Sequence, residues 1–170
     1  MQAVLLFIAR MAAQNIRLLT PGDRDWLVEQ HRILYARDEG FDDTFVTLVA
    51  EIIDAFLAEH DPSVERGWVA EQDGQRLGSV FCVKLDETTA QLRLFLLVPE
   101  ARGKGLGKAM LDTCMQFAKE AGYSGMRLWT HQSHQAACRL YRGFGWRCVD
   151  TEATRHFGQD VIVETYVYDF

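Results

Sequence analysis

Proline is scarce in this chain of 170 residues, with only Pro21, Pro62 and Pro99, and no Cys-x-x-Cys pair occurs among Cys82, Cys114, Cys138 and Cys148. The first absence excludes proline-rich and collagen-like chains. The second, in a chain long enough to build its own core, removes the need for a disulfide framework and leaves free thiols in the cytoplasm as the expectation. Long hydrophobic runs are also missing. Val4-Leu-Leu-Phe-Ile-Ala9 lacks a basic flank and falls far short of the roughly 18 apolar residues of a membrane span, so no membrane association is expected. Positive charge is in deficit, with 18 Lys and Arg against 24 Asp and Glu and a net charge of −6. A broad phosphate-neutralising face for nucleic acid is therefore not expected, and any nucleotide-like ligand must be held locally. Internal repeats and low-complexity tracts are absent, which removes solenoids and arrays.

What is present is an ordinary globular composition, 48% hydrophobic and 25% charged, at the length of one domain. Residues 15–170 read as a single unit. Residues 1–14 read as an extension outside it, and Met11-Ala-Ala supplies a second start position.

Ile16 to Leu19 reads as a short strand. Thr20-Pro-Gly-Asp-Arg-Asp25 then gives turn and capping chemistry for a helix through about Tyr35. Phe45, Leu48, Val49, Ile52, Ile53 and Phe56 recur at three and four, which predicts an amphipathic helix from about Asp43 to Glu59, stopped by Asp61-Pro62. Two strands, Gly67 to Glu71 and Leu77 to Val83, flank Asp73-Gly74, a strong hairpin signal. Ala90 to Val98 alternates and then turns wholly apolar, as the middle strand of a sheet does. A helix from Leu106 to Ala121 ends at Gly122, a strand covers Met126 to Thr130, and a short helix runs from Gln135 to Arg142. Two final strands occupy roughly Trp146 to Thr154 and Val161 to Tyr168. The order β-α-α-β-β-β-α-β-α-β-β predicts an α/β architecture, a mixed sheet with helices on both sides.

Between the middle strand and the best helix lies Arg102-Gly103-Lys104-Gly105-Leu106-Gly107-Lys108. Glycines let backbone approach a ligand, and the free N–H groups of a helix start attract anions, so this loop is suited to pyrophosphate. It is not a Walker loop, because Gly107-Lys108 is preceded five back by Arg102 and followed by Ala109. It is not the dinucleotide fingerprint either, because its third glycine comes one residue early.

Val98-Pro-Glu-Ala-Arg-Gly-Lys-Gly-Leu-Gly107 resembles the Arg/Gln-x-x-Gly-x-Gly/Ala acetyl-CoA loop of the GCN5-related N-acetyltransferases, the GNAT superfamily, in the same strand, loop and helix context. Ala137-Cys-Arg-Leu-Tyr-Arg-Gly-Phe-Gly145 is similar to that family's Ala-x-x-Leu-Tyr-x-x-x-Gly-Phe signature, with Phe144 taken for its phenylalanine and a shorter spacing after Tyr141. Leu128 to His131 and His156 to Asp160 also resemble the acetyltransferase half of regulators that fuse a MarR-type winged helix to such a domain.

The resemblance implies the GNAT fold, a mostly antiparallel central sheet, and acetyl-CoA as cosubstrate. It implies that the backbone of Leu96, Leu97 and Val98 pairs with the pantetheine arm. Gly103, Lys104, Gly105, Leu106, Gly107 and Lys108 would take the pyrophosphate on their N–H groups, with Arg102 shaping the loop. Tyr141 would protonate the departing thiolate. His134 stands where the family commonly has asparagine and would contact the arm. His131 and His134 lack third and fourth ligands at recognisable spacing, so no metal is expected. The middle strand carries Gln91 and Arg93 in place of a basic carboxylate, leaving His131, Glu39, Asp42 and Asp43 as base candidates. The acceptor is implied to be a primary amine of a small molecule or protein. The acidic and aromatic residues Glu39, Phe41, Asp42, Asp43 and Phe45 suit a cationic amine. Relatives commonly form a homodimer through the final strands. A sensor that binds acyl-CoA without turnover is the alternative.

Overall fold

The computed structural model describes residues 15–170; the sequence readings of Val4 to Ala9, of Met11 and of the 1–14 extension lie outside them. Seven strands and four helices follow the predicted order: β1 (Asn15–Leu18), α1 (Arg24–Glu39), α2 (Asp43–Glu59), β2 (Arg66–Gln72), β3 (Gln75–Lys84), β4 (Thr89–Leu97), α3 (Leu106–Glu120), β5 (Gly125–His131), α4 (Gln135–Gly143), β6 (Arg147–His156) and β7 (Gln159–Asp169). The strands form one sheet in the order β1-β2-β3-β4-β5-β7-β6. Every neighbouring pair is antiparallel except β4 with β5. The apolar run expected at the middle of the sheet does occupy the fourth of the seven places.

Side chains of successive strand residues point to opposite faces, and two cores result. Val80 packs with Leu92 and Leu128 against Met110, Leu111 and Cys114 of α3. Phe81, one residue on, packs against Val49, Ile53 and Phe56 of α2 and Leu27 of α1. The three-and-four spacing of α2 thus finds the face it predicted, with Phe45, Val49, Ile53 and Phe56 buried. Asp42 caps that helix by accepting from the Thr44 N–H at 3.0 Å.

The Asp73-Gly74 hairpin turns with both residues at positive φ, 51° and 76°, as a two-residue type I′ turn requires. A second such turn joins β6 to β7 at Phe157-Gly158, φ 51° and 80°. The sequence pattern predicts no turn there, because a phenylalanine is a poor candidate for left-handed backbone. Tertiary packing holds it: the Phe157 ring lies 5.0 Å from those of Phe41 and Phe45, and its carbonyl accepts from the Asp42 N–H at 3.1 Å. This docks the β6–β7 turn onto the α1–α2 loop.

A buried carboxylate ties β1 and β3 to the start of α1. Asp23, 0% exposed, receives both terminal nitrogens of Arg17 at 2.8 and 2.9 Å, Arg76 Nε at 2.7 Å and the Thr20 N–H at 2.9 Å. Burial alone would raise its pKa, but the bonds from Arg17 and Arg76 hold it well below the ordinary carboxylate range. Asp23→Ala leaves two guanidinium groups facing a void and is expected to cost about 3–5 kcal/mol, read as a lower midpoint in urea unfolding. A loss near zero would show that the network is not a structural tie.

His31 is 1% exposed. Its Nδ1–H donates to the Leu27 carbonyl at 2.7 Å, and its buried Nε2 has no hydrogen-bond partner among the described residues. Burial pushes its pKa down to about 4, below the ordinary 6.5. The unfolded chain therefore binds the proton first, so stability is full above pH 6.5 and is lost as pH falls through 4. At about 1.4 kcal/mol per pKa unit, the loss is roughly 3 kcal/mol. Thermal melts from pH 7 to pH 4 should show this decline, and His31→Phe should flatten it; an equal decline in both proteins would remove His31 as its source.

Candidate active site

The parallel pairing of β4 with β5 runs only from Thr89↔Gly125 to Gln91↔Arg127, after which the two strands part. Just beyond, β4 gains an extra residue in its pairing with β3, between Phe81↔Arg93 and Ser79↔Leu96. Leu94 carries the irregularity with φ 48°, a conformation rare for a leucine. The buried Ser79 hydroxyl fixes it by donating to the Leu94 carbonyl at 2.8 Å. Gly78 is needed opposite, because a Cβ there would stand 2.5 Å from the Leu96 carbonyl. Leu96 and Leu97 stay paired to β3 on one side and, among the described residues, have no strand on the other. That free edge offers N–H and C=O groups at strand spacing, the mode by which an extended amide chain is bound.

After a short 3₁₀ turn over Pro99–Ala101, the glycine loop leads into α3. Gly103 and Gly105 take φ 73° and 83°, and nothing lies within 4 Å of a Cβ at either. The loop surface is therefore open to a ligand. Gly105 is the N-cap of α3, which leaves the first N–H groups of that helix without intrahelical partners. Arg102 Nε donates to the Leu97 carbonyl at 3.2 Å, tying the loop to the end of β4.

The free edge, the loop and the start of α4 open on one cavity of about 780 Å³. Of the positions named from sequence, Leu96, Leu97, Arg102, Gly103, Gly105, Gly107, Lys108 and His134 line it. Val98, Lys104, Leu106 and Tyr141 are not in its wall. Leu106 is 2% exposed, so its side chain belongs to the core and only its backbone faces the loop. Tyr141 is also buried, its ring centroid 6.2 Å from that of Phe95, which is in the wall, and 5.8 Å from that of Tyr166. Burial drives its pKa far above the ordinary 10, so its hydroxyl stays protonated.

The second signature is regular, contrary to the sequence expectation. Gly143 lies in α4, whereas Gly145 takes the left-handed conformation, φ 92°, with three residues between Tyr141 and it. Trp146 behind it is 2% exposed and donates its Nε1–H to Met115 Sδ at 3.3 Å. Gly145-Trp146 therefore stands in the Gly-Phe position at full spacing, and Phe144 does not.

The opposite wall comes from an extra turn of α1. The helix runs past Tyr35 to Glu39 and ends where Gly40, φ 68°, returns its N–H to the Ala36 carbonyl, a glycine C-cap. The added turn places Asp38 and Glu39 in the wall beside Tyr35. Tyr35 went unnoticed in the sequence, where Gly40 was the available signal. Burial and the Glu39 charge push its pKa up to about 12. Glu39 Oε1 lies 2.9 Å from His134 Nε2, and Ser133 Oγ donates to Glu39 Oε2 at 2.8 Å. These contacts join α1 to the β5–α4 loop. His134 is withdrawn from water, which lowers its pKa although Glu39 favours its charged form.

Of the base candidates, only Glu39 lines the cavity. Asp42 is committed to its cap and Asp43 is exposed in the first turn of α2. His131 packs edge-on against Phe41 at 5.1 Å, and burial, with the neighbouring His134, lowers its pKa to about 4. Among the described residues no group of three or more His, Cys, Asp or Glu is arranged to hold a metal.

Known proteins share this fold. An N-acetyltransferase of Staphylococcus aureus Mu50 superposes with a TM-score of 0.76 at 18% identity, over 93% of this chain and 99% of that one. The spermidine N-acetyltransferase of Vibrio cholerae, solved with CoA and spermine, gives 0.72 at 17% identity over 93% and 96%. At those identities the likeness is one of fold. In sequence, N-acetyltransferase family 8 member 2 of Rattus norvegicus is 34% identical over 104 residues, 58% of this chain and 44% of that protein. N-acetyltransferase 8 of Homo sapiens is 32% identical over 114 residues, 64% and 49%. The matched stretch thus spans about half the length of these relatives. The model of the Acetyltransferase (GNAT) family matches residues 24–146, from the first residue of α1 to Trp146 behind Gly145, and so takes in the split strand, the glycine loop and the Tyr141 signature: the chain belongs to the GNAT acetyltransferase family.

Proposed function

We propose that residues 15–170 form an acetyl-CoA-dependent N-acetyltransferase that moves an acetyl group to a primary amine of a small molecule or protein. One observation carries this reading: the unpaired edge of Leu96 and Leu97 and the open N–H groups at the start of α3 face the same cavity. An amide-bearing arm ending in pyrophosphate has the two chemistries that such a surface takes. In this reading Leu96 to Val98 pair with the arm and Gly103 to Lys108 take the pyrophosphate. Lys104 adds exposed charge outside the wall. His134, held by Glu39 in the cavity wall, contacts the arm.

The amine nitrogen attacks the thioester carbonyl directly; the C–N bond forms, the C–S bond breaks, and Tyr141 gives its proton to the departing thiolate. The attacking ammonium must first lose a proton; the presence of Glu39 in the cavity wall, beside Asp38, supports Glu39 as its acceptor. Glu39→Gln is expected to slow transfer by about tenfold or more at neutral pH, with less loss as pH rises and the free amine accumulates. A uniform loss at all pH values would remove Glu39 as the proton acceptor.

A second reading, an acyl-CoA sensor without turnover, draws on Gln91 and Arg93 in place of a carboxylate on β4. The resemblance of Leu128 to His131 and His156 to Asp160 to regulator-fused domains points the same way. Assaying transfer to a broad panel of amines separates the two: binding of acetyl-CoA with no product from any amine favours the sensor. We place the protein in the cytoplasm; among the described residues no helix is long and apolar enough to cross a membrane, and the cysteines are free. The exposed outer strand β6 supports pairing of two copies through the final strands.

A further inference from the structure

Arg93 stands opposite Phe81 in the β3–β4 register, so its side chain lies on the sheet face that α1 and α2 cover. Trp129 on β5 shares that face. The last β4–β5 pair is Gln91↔Arg127, and Arg93 and Trp129 each come two residues later, where the strands part. The helices do not close over this spot: Trp129 is 44% exposed and Arg93 is half-buried.

A guanidinium has five N–H donors and keeps its charge, so one withdrawn from water is normally met by carboxylate or carbonyl oxygens. Arg17 and Arg76 follow that rule on Asp23. Arg93 has no hydrogen bond or ion pair among the described residues, and residues 1–14 contain no Asp or Glu. Burial is the one influence on its pKa, which it lowers with no acidic neighbour to offset it. The half-buried cation thus lacks a counter-charge beside the free edge of β4. It precedes Leu96 by three residues, about 10 Å at roughly 3.3 Å per residue.

We propose that Arg93 receives a carboxylate of the acceptor, which makes the acceptor a small amine that also carries a carboxylate, with the exposed indole of Trp129 against its apolar body. The proposal rests on the acetyltransferase reading and narrows its substrate class. It also extends the expectation of a cationic amine: in the proposed complex Glu39 would meet the amino end of the acceptor and Arg93 its acid end. A planar guanidinium binds carboxylate through two parallel N–H···O bonds, so lysine is a poor replacement.

The test uses the whole chain and a set of N-acetyl amino acids with apolar side chains, the products expected of such acceptors, each paired with its uncharged amide. Calorimetric titration is done with the free protein and with protein saturated with coenzyme A. The acids should bind at least about tenfold more tightly than the amides, the worth of one charge-assisted pair. Arg93→Gln should erase that difference, and Arg93→Lys should restore only part of it. Acetyl-CoA affinity should be the same in all three proteins, which also shows that the variants are folded. Acids and amides binding alike, or no acid binding at millimolar concentration to protein that takes up acetyl-CoA, would overturn the proposal. Failure to take up acetyl-CoA at all counts instead against the acetyltransferase reading, whatever the acids do.

Discussion

Tyr141→Phe should lower the turnover number by about a hundredfold while leaving acetyl-CoA affinity within about twofold, the range expected when one general acid is removed from an intact site. The substitution deletes one oxygen from a ring buried beside Phe95, Trp146 and Tyr166 and adds no volume, so packing is preserved. In the proposed mechanism the thiolate would then depart without a proton donor. Because burial holds the Tyr141 pKa far above 10, the wild-type enzyme should lose no activity through this group as pH rises to 9. A wild-type rate that falls between pH 8 and 9 in step with tyrosine ionisation, or a Phe variant of undiminished turnover, removes Tyr141 from the chemistry.

Gly105→Glu should abolish acetyl-CoA binding, with an affinity loss of about a hundredfold or more, roughly 2.7 kcal/mol. Two causes act together. A residue with a Cβ is strained at φ 83°, at a cost of about 1–2 kcal/mol. The added carboxylate also sits where the helix start and three basic residues, Arg102, Lys104 and Lys108, would meet pyrophosphate. The fold should survive, because nothing lies within 4 Å of the new Cβ. Gly105→Ala isolates the backbone strain and should keep most of the affinity. Equal losses in Ala and Glu variants would show that the loop shape matters and its charge does not.

The order of elements was legible because each depends on local pattern: the spacing of Phe45, Val49, Ile53 and Phe56, the Asp73-Gly74 turn, the glycine stop at Gly122. The glycine loop was legible for the same reason. What escaped the sequence depends on distant partners. Phe157 adopts left-handed backbone because Phe41 and Phe45, more than a hundred residues earlier, hold its ring. The Leu94 irregularity is stabilised by the Ser79 hydroxyl of another strand. Asp38 and Glu39 reach the cavity, beside Tyr35, through one extra helical turn, a boundary that local propensity sets only loosely. The motif around Tyr141 was misregistered by two residues, because Gly143 and Gly145 look alike in sequence and differ only in φ. Arg93 read as a missing carboxylate; its lack of a counter-ion became visible only when both faces of β4 were assembled.

The central claim is that the split between β4 and β5 and the start of α3 together hold one extended ligand. Isothermal titration of acetyl-CoA into the folded protein, with coenzyme A and ATP in parallel, tests it most directly. The account predicts saturable binding of acetyl-CoA and of coenzyme A at a single shared site, and much weaker binding of ATP, which has phosphates for the loop but no arm for the free edge of Leu96 and Leu97. Absence of acetyl-CoA binding, or binding of ATP as tight as that of acetyl-CoA, would contradict it.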